Sequence, residues 1–126
     1  MKYLKYFEST NNIIDIHNMY LRSPGIYLKY FHSENITTII MYNNKFKYIP
    51  VLPNKLEILV AGNNILEKLP ELPETLKELY VPKNNLSKLP KLPNNLFKLS
   101  CGENILEELP ELPKSLIYLY CENNKL

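Results

Sequence analysis

Few residues in this 126-residue chain are equipped for catalysis. There are two cysteines, Cys101 and Cys121, two histidines, His17 and His32, and one aspartate, Asp15. A metal centre needs three or four converging ligands, and an activated thiol needs a base within hydrogen-bond reach. Neither histidine falls near either cysteine in the chain's internal register, so neither arrangement is expected. No Ser-His-Asp set is expected to share a face. Glycine occurs three times, too rarely for a phosphate loop, and no Gly-x-Gly-x-x-Gly is present. The reading is therefore no catalytic residue, no metal and no cofactor. The lone His17 and His32 read as surface or cap residues. Two cysteines make no disulfide framework and point to a reducing compartment.

The bulk composition narrows the class further. Leu, Ile, Val and Phe make up about a third of the chain, which excludes disorder by composition. The net charge is +2, and 14 of the 15 basic residues are lysine. Neither nucleic acid nor an anionic membrane is expected as partner, since Arg is the better bidentate phosphate ligand. No apolar run approaches the roughly 20 residues of a membrane span. The first residues show no readable secretory signal, because Lys5 and Glu8 cut the apolar stretch. The location implied is cytoplasmic, in its own cell or a host cell. Ten prolines inside a Leu-rich chain then need a structural reason.

The reason is an internal repeat. Leu-Pro pairs or their equivalents begin at Ile49, Leu69, Leu89 and Leu109, and again at Leu52, Leu72, Leu92 and Leu112. In the same frame Leu56, Leu76, Leu96 and Leu116 align. So do Leu59, Leu79, Leu99 and Leu119, then Ala61, Val81, Cys101 and Cys121, then Leu66, Leu86, Leu106 and Leu126. The pattern is L-x-x-L-x-[AVC]-x-x-N-x-L with a 20-residue period. One step earlier it persists as Ile36, Ile39, Met41, Asn44 and Phe46. A further step of 20 gives only Ile16, Met19, Leu21, Pro24 and Ile26.

Each unit has one short strand: Leu79 and Val81 alternate with Glu78 and Tyr80. Strands recurring in one sense must be parallel, and no unit can bury its own face, so the units stack. Two prolines three residues apart, such as Pro70 and Pro73, exclude a helix in the return. Polyproline II has three residues per turn. Leu66, Leu69 and Leu72 then share an inward face and the prolines another.

This pattern resembles the leucine-rich repeat, over residues 36–126 and in decayed form from about 16. The 20-residue unit with L-x-x-L-P-x-L-P is similar to the short repeats of bacterial effector proteins and of some large DNA viruses. The resemblance implies an α/β-type solenoid, mostly β. It would be a right-handed superhelix with a concave parallel β-sheet and an extended, polyproline-II-like convex side. The expected division is a cap with one irregular repeat over 1–35. Repeats follow at 36–55, 56–75, 76–95 and 96–115, and a partial one at 116–126.

Each column then has an expected task. Asn44, Asn64, Asn84, Asn104 and Asn124 sit where the chain leaves the strand, and their amides can satisfy turn backbone of neighbouring rungs. Cys101 and Cys121 fall in the inward small-residue column, as buried thiols. Charge on the convex segments alternates: −2 over 65–75, +2 over 85–95 and −2 over 105–115. That reads as a solvated face whose neighbours attract weakly. The outward strand positions include Ile40, Tyr42, Ile58, Val60, Glu78, Tyr80, Lys98, Ser100, Tyr118, Tyr120 and Glu122. Ile40, Val60, Tyr80 and Tyr120 form a stripe broken only by Ser100. An outward apolar and aromatic stripe is the expected form of a partner-binding face.

The ends are less regular. Tyr3-Leu4-Lys5-Tyr6-Phe7 recurs as Tyr27-Leu28-Lys29-Tyr30-Phe31, a spacing of 24 that suggests a longer leading unit. Ile13, Ile14, Ile16 and Met19 fit a strand as well as a helix. At the other end Leu116, Leu119, Cys121 and Leu126 would leave core facing water. Either the array continues beyond this sequence or a second copy covers that end as a homodimer. The leading functional reading is a non-enzymatic scaffold that binds a protein through its concave face. By resemblance the partner would be a host protein. The alternatives are the substrate-recognition arm of a ubiquitin-ligase effector and a self-assembling structural protein.

Overall fold

The computed structural model describes residues 12–23, 25 and 28–126. Over these the chain winds as a right-handed solenoid with one three-residue strand per turn. The strands are β1 (Ile13–Asp15), β2 (Thr38–Ile40), β3 (Ile58–Val60), β4 (Glu78–Tyr80), β5 (Lys98–Ser100) and β6 (Tyr118–Tyr120). They pair in parallel, in chain order, as one six-stranded sheet. The four-residue helix α1 (Leu28–Phe31) lies between β1 and β2. From β2 onward every pairing is in register at a step of 20, for example Leu59 with Leu79 and Leu79 with Leu99.

The first rung departs from the expected frame. Ile14 pairs with Ile39 and Asp15 with Ile40, so the step from β1 to β2 is 25 residues. Ile16 therefore takes the place of Met41, and Met19 that of Asn44. The frame that set Ile16 against Ile36 and Pro24 against Asn44 is corrected. The extra residues accommodate α1, which is bulkier along the chain than an extended return. Tyr3 to Phe7, Glu8, Pro24 and Ile26 lie outside the described residues.

The core is a stack of like columns. Ile14, Ile39, Leu59, Leu79 and Leu99 are fully buried, as are Ile16, Met41, Ala61, Val81 and Cys101. Each buried Leu or Ile contributes about 1.5–3 kcal/mol, against under about 1 kcal/mol for an exposed ion pair. The exposed pairs Lys47–Glu67 and Lys77–Glu57 between rungs, at 3.2 and 3.0 Å, are secondary to this core. Leu66, Leu69 and Leu72 of the return are buried too, which puts one face of the extended segment inward. The prolines do not all lie outward, however: Pro53 and Pro93 are buried. Each opens the turn into the next strand, its carbonyl accepting from Leu56 or Leu96 at 3.2 and 3.1 Å.

At the other corner the asparagines bind rung to rung. Asn84 Nδ2 donates to Ala61 O at 3.0 Å, one rung back, and to Val81 O at 3.2 Å on its own rung. Its Oδ1 accepts from Leu66 N–H at 3.0 Å. Asn64, Asn104 and Asn124 repeat this set, the last with Cys101 O and Leu106 N–H at 3.0 Å each. The residue before each ladder asparagine is left-handed: Asn43, Asn63, Lys83, Glu103 and Asn123 have φ between 52° and 56°. A third set of ties lies at the turn before the strand. Thr75 Oγ1 and Ser115 Oγ donate to Leu56 O and Leu96 O at 2.7 and 2.6 Å.

Both cysteines are free thiols. Cys101 is buried, and desolvation first, then the neighbouring Cys121 and Glu122, push its thiol up to about 12. That makes it inert at neutral pH. On the last rung Leu116 and Cys121 are partly buried, whereas Leu119 and Leu126 are 36% and 57% exposed.

Candidate binding face

Strand alternation turns three rows of side chains to the concave surface. The first row is Ile13, Thr38, Ile58, Glu78, Lys98 and Tyr118. The second is Asp15, Ile40, Val60, Tyr80, Ser100 and Tyr120. Continuing two residues along each rung gives His17, Tyr42, Gly62, Pro82, Gly102 and Glu122. Ile40, Tyr42, Ile58, Val60, Glu78, Tyr80, Lys98 and Ser100 are half-buried there. Tyr118 and Tyr120 are 48% and 47% exposed, and Glu122 is exposed.

At the middle of the sheet, Tyr80 is the centre of a small polar network. Its hydroxyl donates to Glu78 Oε2. Lys98 Nζ lies 5.2 Å from the Tyr80 ring centroid and 5.7 Å from that of Tyr118, within cation–π range of both. Burial first, then the Glu78 carboxylate, raise the Tyr80 hydroxyl above its ordinary range, while Lys98 opposes them. Tyr80 therefore stays neutral and serves as a donor and a ring.

The N-terminal end of the face holds residues that the 20-residue frame missed. Asp15 and His17 lie on the concave surface and not in a separate cap. The His17 Nδ1 and Asp15 Oδ1 are hydrogen-bonded, and the His17 N–H also reaches Asp15 Oδ1 at 3.3 Å. The imidazole stacks on Tyr42 with centroids 4.8 Å apart and planes at 10°. Asp15 and His17 thus form an Asp-His pair on this face. Its neighbours in register are Ile40 and Tyr42 and carry no serine or thiol. In the observed frame of 25, Ile14, Ile16, Asn18 and Leu21 match Ile39, Met41, Asn43 and Phe46, a step that no other pair of rungs shares.

Between Tyr42 and Tyr80 lies a cavity of about 290 Å³, walled by those rings with Val60, Gly62 and Pro82, and rimmed by Asn43, Asn63 and Lys83. Gly62 is required here, because a Cβ would stand 3.0 Å from Pro82 Cδ and 3.2 Å from Pro82 O. Among the described residues no group of three or more His, Cys, Asp or Glu is placed to hold a metal. None of the helices there is long and apolar enough to cross a membrane.

No protein-family model and no curated protein matches the chain. Solved structures do. YopM from Yersinia enterocolitica is similar at a TM-score of 0.73 and 39% identity, over 74% of this chain and 21% of that one. YopM of Yersinia pestis, a leucine-rich effector protein, gives 0.73 and 45% over 75% and 28%. The leucine-rich-repeat domain of a Shigella effector gives 0.81 and 29% over 90% and 50%. The chain thus spans between about a fifth and a half of these neighbours. With the six-rung parallel sheet, the 20-residue period and these neighbours together, the chain is a leucine-rich-repeat protein of the short-repeat kind found in bacterial effectors.

Proposed function

We propose that the protein is a non-enzymatic scaffold that engages a partner protein through its concave face. The observation that carries this is the row Ile40, Val60, Tyr80, Tyr120. These side chains point away from the core, yet four of the five positions from β2 to β6 are apolar or aromatic. The core does not require that, and an outward apolar and aromatic row suits a protein-binding surface: Tyr combines a large apolar body with a polar tip. The similarity to effector repeats supports a host protein as the partner.

The test is affinity capture from host-cell lysate with wild type and the double variant Tyr80→Ala/Tyr120→Ala. Both should melt at the same temperature, since neither side chain is in the core. A specific protein retained by wild type and lost by the variant is the expected result. Identical captures would remove the concave face as the site.

A further inference from the structure

We infer that the cavity between Tyr42 and Tyr80 is a dedicated slot. It takes one flat apolar side chain from an extended partner segment that carries a carboxylate beside it. The inference rests on the concave-face reading and specifies the chemistry of its partner.

Two features make the cavity a slot. Tyr42 and Tyr80 belong to rungs two apart and are offset by two residues along the strand, so their Cα atoms are about 12 Å apart. The cavity of about 290 Å³ between them takes one large side chain. Each ring is also backed on its far side. His17 stacks against Tyr42 at 4.8 Å, and Lys98 Nζ stands 5.2 Å from the Tyr80 centroid. Both tyrosines line the cavity, together with Val60, Gly62 and Pro82.

The charges select the flank. Lys83 lines the rim and no carboxylate does. Lys98, behind Tyr80, is offset by Glu78, whose carboxylate accepts from the Tyr80 hydroxyl. Lys83 at the rim disfavours a lysine or arginine between the rings, although aromatic walls would otherwise attract one. Lys83 has an ion pair with Glu103 at 3.9 Å, with both side chains more than half exposed. A pair that long and that wet is weak and can exchange for a partner's carboxylate.

The protein contains no tryptophan, so a tryptophan-bearing peptide reports its own burial. The probes are Gly-Gly-Trp-Glu-Glu-Gly-Gly and Gly-Gly-Trp-Lys-Lys-Gly-Gly, followed by emission wavelength during titration with protein. The acidic peptide should blue-shift and bind at least about tenfold tighter than the basic one. Tyr42→Ala and the slot-filling Val60→Phe should each weaken it about tenfold, and Lys83→Glu should invert the preference. Lys88→Ala, exposed on the convex side, should leave it unchanged. Absence of a shift in wild type, or equal affinity for the two peptides, overturns the inference. So does loss of binding in Tyr120→Ala with binding kept in Val60→Phe, an outcome that retains the concave face and removes the slot.

Discussion

The Oδ1 atom of Asn44 accepts from the backbone N–H groups of both Met19, at 3.2 Å, and Leu21, at 3.0 Å. Every later ladder asparagine accepts one such bond across rungs, from Phe46, Leu66, Leu86 or Leu106. The difference arises because Met19 occupies the asparagine position of the first rung and brings no amide of its own. Asn44 is thus the terminal rung of the ladder and closes the turn of a rung that cannot close itself.

This sets an order among alanine substitutions. Removing a ladder amide leaves buried carbonyls and an N–H unpaired, at a cost of about 1–3 kcal/mol. Asn84→Ala should fall within that range, and Asn44→Ala should lie toward its upper end. Urea denaturation of the two variants beside wild type measures the order. An unchanged midpoint for Asn84→Ala would count against the ladder as a source of stability.

The left-handed column makes a prediction of the opposite sign. Asn tolerates this backbone, while other side chains pay about 1–2 kcal/mol for it. Asn43, Asn63 and Asn123 obey that preference, whereas Glu103 does not at φ 54°. Asn63 Nδ2 also donates to Asn43 Oδ1, at 2.6 Å. Glu103→Asn relieves the backbone and offers Asn123 the same neighbour. The expected gain is about 0.5–1 kcal/mol after loss of the weak Lys83 pair. A fall in the denaturation midpoint would refute it.

The two inner glycines separate rigid from flexible neighbours. A Cβ at Gly62 meets the Pro82 ring at 3.0 Å, and one at Gly102 meets the Glu122 carboxyl group at 2.9 Å. The proline ring is fixed by its own backbone, while the glutamate side chain rotates away into water. Gly62→Ala should therefore destabilise more than Gly102→Ala, although each Cβ also stands 3.2 Å from a carbonyl oxygen. Equal losses would place the strain at those carbonyls.

How much of this was legible in the sequence depends on what set the spacing. From Leu56 to Leu126 each column recurs at 20, so the strands, the inward leucines and the outward rows follow from counting. The first rung did not, because its step of 25 is not shared with any other pair and Met19 hides the asparagine column. That error removed Asp15 and His17 from the concave surface. The Tyr42 stack on His17 was invisible for the same reason, and the slot needs that stack. Ring orientation is a property of neighbouring side chains and not of spacing. The hydroxyl ties of Thr75 and Ser115 were also missed, since that column mixes Asn35, Lys55, Thr75, Asn95 and Ser115 and shows no single type.

The thiols give the pH-dependent prediction. The Cys101 pKa is raised from 9.0 to about 12, so the folded protein keeps a proton that the unfolded chain releases. Stability from this group is complete below pH 9 and is lost as pH rises toward 12. The sign follows because the unfolded state binds fewer protons over that window. The slope is about 1.4 kcal/mol per pH unit. Tyrosines and lysines titrate in the same range, so the comparison must be with Cys101→Val, which keeps the size and removes the thiol. Between pH 9 and 11 wild type should lose stability relative to this variant, and below pH 8 the difference should be constant. Alkylation offers a second reading: at pH 8 iodoacetamide should modify half-buried Cys121 while Cys101 stays unreacted in the native state. Equal labelling of the two would show that the inward column opens far more readily than a packed core allows.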